Sequence, residues 1–250
     1  MEWVKEFYNR QYELLTDSPL NHILRDDLVD KMEELFEGKP TNLLELGGGT
    51  GQFAVAAAKR GYDVTVIELI PKAVLKIKAL AREHEVEDKL HIIEGDFYEA
   101  EFNNPFDCIC YWDGFGVGSD EDQSKLLHLI EGWLSSGSLA LIDCYTPWYW
   151  AYTAGIEMSL DDIMRQYDFD PYHCRMIDTW WSVNDESQAV TQSLRCYSPA
   201  DLELLLAESK LILDHTIPGG AMDYDKGEYK ENVPLHQAMS YTARLKKNTG

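Results

Sequence analysis

The sequence predicts an α/β fold, a doubly wound, seven-stranded and mostly parallel sheet with an antiparallel cap insertion, and three observations predict it. Apolar runs of strand length alternate with amphipathic stretches of helix length from residue 42 to 144. A glycine loop, Gly47-Gly48-Gly49-Thr50-Gly51, follows the first apolar run directly. Acids stand at the ends of three successive strands, at Glu45, at Glu68 and at Glu94 to Asp96. Strands separated by helices form a parallel sheet, and such a sheet brings its strand ends to one edge.

Taken in order, a helix is expected over about 2 to 15 and a second over about 20 to 37. The second gathers Ile23, Leu24, Leu28, Met32, Leu35 and Phe36 on one side, and Gly38 and Pro40 end it. The core follows as strand 42 to 47, helix 51 to 60, strand 63 to 68, helix 71 to 86 and strand 90 to 94. In the helix over 71 to 86, Val74, Ile77, Ala81 and His84 form one stripe while Lys72, Lys76 and Glu83 take the other face. Strand 106 to 111, a helix over 120 to 134 with Leu126, Leu127, Ile130, Trp133 and Leu134 at helical spacing, and strand 138 to 144 complete the alternation.

Between 146 and 197 the rhythm stops. This stretch holds Trp148, Tyr149, Trp150, Tyr152, Tyr167, Tyr172, Trp180 and Trp181, with one short helix expected near 159 to 166. Residues 175 to 183 and 188 to 197 read as two antiparallel strands joined across Asn184-Asp185-Glu186. An insertion after a strand's carboxyl end sits over the ligand crevice of such a sheet. Ser198 as N-cap and Pro199 at the first helical position open another helix, and strands at 211 to 217 and 237 to 245 finish the sheet.

Composition narrows the class. With 250 residues, 45% of them hydrophobic, the chain can bury one large core, and it reads as a single domain over 1 to 250. Its 44 acidic against 22 basic residues give a formal charge of -22, with no basic cluster, which disfavours nucleic acid and anionic membranes as partners. Five cysteines without a C-x-x-C pair indicate neither a disulfide framework nor a zinc site, so no metal is expected. The opening Met-Glu-Trp-Val-Lys-Glu lacks the order of a secretory signal and no apolar run reaches membrane length, so a cytoplasmic location is expected.

The glycine loop carries the first chemistry. Glycine admits positive φ and lets a ligand approach bare backbone, and the helix that follows offers unpaired N–H groups. A dinucleotide fingerprint would need glycine at Gly47, Gly49 and residue 52, which is Gln52. Glu45 beside the loop repels a pyrophosphate and attracts an ammonium or a sulfonium, so the loop points to S-adenosylmethionine. Glu68, at the second strand's end, suits a ribose diol. Asp96 suits an adenine amino group, with Phe97 to flank the ring, although Gly95-Asp96-Phe97 alone would serve equally as a capped turn.

In this order and spacing the chain resembles the class I S-adenosylmethionine-dependent methyltransferases. The resemblance runs from about 40 to 145, through Glu45 to Gly51, Glu68, Gly95-Asp96-Phe97 and Phe106 to Asp113. It implies a Rossmann-like sheet in which Gly47, Gly48, Gly49 and Gly51 hold the methionine part of the cofactor. Glu68 would hold the ribose, Asp96 the adenine amino group, Leu69 and Phe97 the two faces of adenine, and Trp112 with Asp113 the floor near the methionine. Gly48 stands where the family often has Cys, Ser or Ala, and glycine suits the bend there.

Beyond the core, Trp112 to Gly116, Ser119 to Asp122 and Arg195 to Leu202 look like the small-molecule, type 11/25-like branch, where an antiparallel insertion caps the acceptor site. That implies a cap over 146 to 197. Phe7-Tyr8-Asn9-Arg10-Gln11-Tyr12-Glu13 is similar to the branch's aromatic opening segment, which implies a helical lid over 1 to 40 with Tyr12, then Tyr8, near the sulfonium or methionine carboxylate. The plainer reading of the same residues is an aromatic helix face packed on the sheet.

Methyl transfer from a sulfonium is an in-line displacement that asks chiefly for alignment and exclusion of water. The candidate catalytic residues are Tyr12, Asp113, Tyr145 and His173, with Asp143 and Tyr149 nearby in sequence. His84, His91, His128 and His215 read as structural. Asp168, Asp170, Asp178 and Asp185 add acid to the cap and favour an amine or cationic small molecule, methylated on N or O, with the chain a monomer or homodimer. A nicotinamide dehydrogenase on a related sheet and a non-catalytic cofactor-binding protein are the alternatives.

Overall fold

The computed structural model describes residues 2–15, 22–36, 38–160, 162–224 and 226–248. Two helices, α1 (Glu2–Leu14) and α2 (Asp26–Leu35), precede the alternating core. The core runs β1 (Asn42–Leu46), α3 (Gln52–Lys59), β2 (Asp63–Glu68), α4 (Pro71–Glu83), β3 (Leu90–Glu94), β4 (Phe106–Tyr111), α5 (Asp120–Trp133) and β5 (Leu134–Tyr145). After it come α6 (Pro147–Tyr152), β6 (Glu157–Leu160), β7 (Ile163–Asp170), β8 (Arg175–Ser182) and β9 (Asp185–Arg195). The chain then closes with α7 (Pro199–Leu206), β10 (Leu211–Pro218), β11 (Ala221–Asp223), β12 (Glu228–Lys230) and β13 (Ser240–Lys247).

Seven strands form the main sheet in the order β10-β13-β5-β4-β1-β2-β3. The pairs among β1 to β5 are parallel, and β13 runs antiparallel between β5 and β10. The chain moves outward from β1 to β3 and then returns to β4 on the other side of β1. That reversal opens a crevice beyond the carboxyl ends of β1 and β4.

The period-two alternation of the strands explains the two core layers. Leu44, Leu46, Ile109 and Tyr111 pack with Leu126, Leu127 and Ile130 of α5 and Leu202 and Leu206 of α7. Leu43, Val64, Val66 and Cys108 pack on the other side with Phe53 to Ala58 of α3, Ile77 of α4 and Val29 and Met32 of α2. The alanines of α3 let that helix lie close to the sheet. Capping boxes start α5 at Ser119 and Asp122 and α7 at Ser198 and Asp201, the latter with Pro199 in its first turn.

A second, four-stranded antiparallel sheet, β6-β7-β8-β9, follows the core strands. It is bolted to the loop after β4 by the Val117–Leu194 bridge and by Arg195 N–H donating to Gly116 O at 2.9 Å. α1 lies against this sheet, with Phe7 packed beside Ile163 and Trp180.

Most departures from the sequence reading fall in this cap. The expected helix near 159 to 166 is instead the β6–β7 hairpin, with Leu160 opposite Ile163. Its Ser-Leu-Asp-Asp start mimics a helix cap, but Ile163 and Tyr167 are buried against α1 and α6, and pairing with β8 overrides the local preference. The helix lies earlier, in α6, which Pro147 starts. The hairpin of β11 and β12 was not expected, and the last strand begins at Ser240 because Leu235–Gln237 forms a 3-10 turn. The second helix is shorter than expected at Asp26–Leu35, while residues 16–21 and 37 lie outside the described residues. Among the described residues no helix is long and apolar enough to cross a membrane.

Candidate cofactor and acceptor site

A cavity of about 270 Å³ opens beyond the ends of β1, β2, β3 and β4, between them and α1. Its floor is the glycine loop. Gly47 and Gly49 take φ of +62° and +55°, and Gly51 takes +92° as the N-cap of α3. The N–H groups of Gly47 and Gly48 both donate to Ile67 O, at 2.9 and 3.3 Å, which folds the loop onto the tip of β2. Gly48 itself is not in the left-handed region. A Cβ there would stand 2.1 Å from Val66 Cγ2, so the need for glycine comes from contact with β2 and not from the bend.

Glu68 braces the loop and lines the cavity at once. Its Oε2 accepts from Gly49 N–H at 2.9 Å and its Oε1 from Ile70 N–H at 2.8 Å. Burial pushes its carboxyl up to about 7, against those backbone donors. Glu45 lies in the same wall, buried, and is held well above the usual carboxylate range by desolvation and then by the charge of Glu68. Its Oε2 has no hydrogen-bond partner. Two neighbouring buried carboxylates, one with an orphaned oxygen, form a cradle that a cationic group would complete.

Asp96 caps the turn that follows β3 through Oδ1, which accepts from Tyr98 N–H at 2.9 Å, and it also lines the cavity. Leu69, Ile70, Phe97 and Tyr98 supply apolar wall beside it. Trp112 packs edge-on to Phe53 at 5.3 Å, and its Nε1 is buried without a partner. Asp113 adopts φ of +57°, unusual outside glycine, which turns its carboxylate into the cavity. Tyr145 OH donates to Asp113 Oδ1. Desolvation pushes the carboxyl of Asp113, a residue that keeps an exposed edge, up to about 6; Arg165 and Arg25 draw it down, while Asp143 and Asp178 push it up.

From α1, Tyr8 and Tyr12 both reach the cavity, Tyr12 beside Gly49, and burial raises both phenols well above their usual range. The cavity thus brings together Tyr12, Glu45, Gly47, Gly48, Gly49, Glu68, Leu69, Asp96, Phe97, Trp112 and Asp113. Arg25, Gln11 and Gln52 line it as well and carry no motif in the sequence that would mark them. Arg25 is a single arginine ahead of an acidic helix start, held by Asp27 through bonds of 2.8 and 2.7 Å.

Other expected residues stand elsewhere. Gly51 packs on Ile77 instead of lining the cavity, and Gly95 donates to Glu68 O at 3.0 Å behind the wall. Tyr145 does not line the cavity, and its hydroxyl meets Asp113. His173 sits exposed in the turn between β7 and β8, 2.6 Å from Asp170 Oδ2, because the turn holds it at the surface and not in the cavity wall. Tyr149 bonds the backbone of Met222, and Asp143 accepts from Thr242. The cap acids do not reach the cavity: Asp168 and Asp185 bond their own neighbours, and Asp178 is buried against Arg165. Among the described residues no cluster of His, Cys, Asp or Glu could hold a metal ion.

Residues 43–137 match a family model described as a methyltransferase domain. A dimethyladenosine transferase of Saccharomyces cerevisiae is 32% identical over 91 residues, which span 36% of this chain and only 28% of that protein. In fold, the chain is similar to the CcbJ methyltransferase of Streptomyces caelestis, with TM-score 0.70, 17% identity and 89% and 88% of the two chains covered. An S-adenosylmethionine-dependent methyltransferase of Clostridium acetobutylicum gives TM-score 0.70 at 15% identity, covering 96% and 98%. The glycopeptide N-methyltransferase MtfA, solved with S-adenosylhomocysteine, gives 0.61 at 14%, covering 90% and 88%. At these identities the structural likenesses establish the fold.

Proposed function

We propose, of a chain that carries a class I S-adenosylmethionine-dependent methyltransferase domain, that it methylates the nitrogen of a small-molecule amine. The residues present fit the cofactor. The orphaned Glu45 Oε2 would take the ammonium of the methionine part, and Trp112 Nε1 and Arg25 would offer donors to its carboxylate. Glu68 would serve the ribose, and the Oδ2 of Asp96, unused by the turn, the adenine amino group. When bound, the cofactor supplies a methyl group on a positively charged sulfur. The chain's part is to align an acceptor with that methyl, exclude water and receive a proton.

Asp113 is the observation that carries the amine reading. Four carboxylates, Glu45, Glu68, Asp96 and Asp113, line the cavity, against one guanidinium, Arg25, which Asp27 already neutralises. No histidine lines it, so the base that an oxygen acceptor would need is absent from the described wall. A carboxylate with Tyr145 on one oxygen has its other oxygen for an incoming N–H, and a carboxyl near 6 is mostly ionised at pH 7. This puts the preference for an amine on Asp113, whereas the sequence had suggested the cap acids.

The test is a panel of primary and secondary amines, carboxylates and phenols assayed for methyl transfer, with S-adenosylhomocysteine affinity measured by calorimetry. Amines should turn over first. Clear preference for an anionic acceptor would sink the amine reading, and absence of S-adenosylhomocysteine binding would remove the cofactor assignment itself.

A further inference from the structure

Asp178 lies in the middle of β8, wholly shielded from solvent. Its two oxygens accept four hydrogen bonds: from Arg165 Nε at 2.7 Å and Nη2 at 2.8 Å, from Trp180 Nε1 at 2.8 Å and from Gln192 Nε2 at 2.8 Å. A buried ion pair of this kind adds little stability over well-packed apolar side chains, so its presence in a sheet interior calls for another role. Gln192, also buried, supplies one. Its Oε1 accepts from Tyr8 OH at 3.4 Å, and Tyr8 stands at the wall of the cofactor cavity. α1, which carries Tyr8, rests on the same sheet through Phe7 beside Trp180 and Ile163.

We infer that Asp178 and Gln192 are positioning residues for the cofactor: through Gln192 the cap sheet sets where the Tyr8 hydroxyl stands, so order in the cap and cofactor affinity are coupled across α1. The inference rests on the reading of the cavity as the S-adenosylmethionine site. It also links the two ends of that cavity. Arg165, stacked over Tyr167 and Trp180 at 4.7 and 4.4 Å, is fixed by the same Asp178, and its charge is the main attraction acting on Asp113. One carboxylate therefore holds, through Gln192, the phenol at the cofactor side and, directly, the cation whose charge acts on Asp113.

Asp178→Asn is a poor probe, because it strands a buried guanidinium and threatens the fold of the cap. Tyr8→Phe and Gln192→Met keep shape and break the link, the second also removing one of the four donors to Asp178, which keeps its pair with Arg165. Each should weaken S-adenosylhomocysteine binding about three- to tenfold, and the double variant should be no weaker than the weaker single one. Hydrogen exchange on the whole chain supplies a readout that packing alone would not move. In the wild type, S-adenosylhomocysteine should slow exchange in the loop 46–51 and also in β8 and β9. In Gln192→Met the loop should stay protected while β8 and β9 return to their ligand-free rates. Losses that multiply in the double variant, or cap strands indifferent to the ligand in the wild type, overturn the coupling and leave the cofactor reading standing. A wild-type loop that gains no protection overturns both.

Discussion

At the scale of the residue, Gly48 and Asp113 each hold an unusual position for a different physical reason. Gly48 is a matter of room: a methyl added there meets Val66 Cγ2 at 2.1 Å, a branched side chain fixed inside β2. Gly48→Ala should cost on the order of 1–3 kcal/mol and weaken S-adenosylhomocysteine binding, since the loop must move. Val66→Ala in the same chain should recover most of the loss, and thermal unfolding with calorimetry on the single and double variants checks both halves. A Gly48→Ala variant as stable and as tight as wild type would show that the loop yields freely. Asp113 is a matter of strain and charge, a carboxylate held at φ +57° among Asp143, Asp178 and Tyr145. Asp113→Asn keeps the shape, tolerates that φ and removes the charge, so its melting temperature should rise while methyl transfer to amines falls at least about tenfold. Undiminished turnover would take the acceptor-orienting role away from it.

At the scale of the element, the loop from Asp113 to Gly118 is held by the cap as well as by its neighbours in sequence, Tyr111 on Gly114 O and Gln123 on Gly116 N–H and Val117 O. Arg175 of β8 donates to Gly118 O at 2.9 Å, Gly116 O at 3.3 Å and Ser193 O at 2.7 Å, and its Nε bonds Ser193 Oγ at 2.6 Å. Its contacts are carbonyls and a hydroxyl, so Arg175→Lys, with its single ammonium, can replace only part of them. Both Arg175→Lys and Arg175→Met should lower turnover severalfold more than they lower affinity for S-adenosylhomocysteine, because the loop that moves carries Asp113 and the glycine loop does not. Steady-state kinetics beside calorimetry would show the split; equal losses in both would mean a general loosening.

The same contrast explains what was legible in the sequence. β1 to β4, α3 and α5 could be read to within about a residue, because each buries a face of fixed period on a shared sheet, whereas α4 stops earlier than expected, at Glu83, and β5 begins earlier, at Leu134; the cap at Ser198 is a local signal. That Glu45, Glu68 and Asp96 share one cavity was legible for the same reason: they sit where parallel strands end. Cap geometry was not, since β6 and β7 owe their form to pairing with β8, a partner distant in sequence. Arg25 and the Asp178–Gln192–Tyr8 chain were hidden likewise, as ordinary polar residues whose meaning arises from contacts, the longest of them between Tyr8 and Gln192, which are 184 apart.

At the scale of the molecule, two sources of negative charge act on stability and can be separated. Glu68 holds its proton to about 7 when folded but releases it near 4.5 when unfolded, and Glu45 is raised in the same direction. The folded chain therefore binds more protons between those values, so this contribution is complete below about 4.5 and is lost as pH rises through 7. For Glu68 the loss is on the order of 3 kcal/mol. The formal charge of -22 adds surface repulsion that grows over the same range but that salt screens. Opposing both, Asp27 has its carboxyl lowered by Arg25, and it destabilises the fold only when acid protonates it. The ligand-free protein should thus melt highest near about pH 5 and progressively lower toward pH 8. Raising NaCl to about 1 M should recover the surface part at pH 8 and leave the Glu45–Glu68 part in place, since buried pairs are screened little. S-adenosylmethionine, whose positive charge would favour the ionised pair, should give a larger rise in melting temperature at pH 8 than at pH 5. Scanning fluorimetry across pH, salt and ligand tests all three arms, and a ligand-induced rise that shrinks from pH 5 to pH 8 would mean that the buried pair does not face the cofactor's charge.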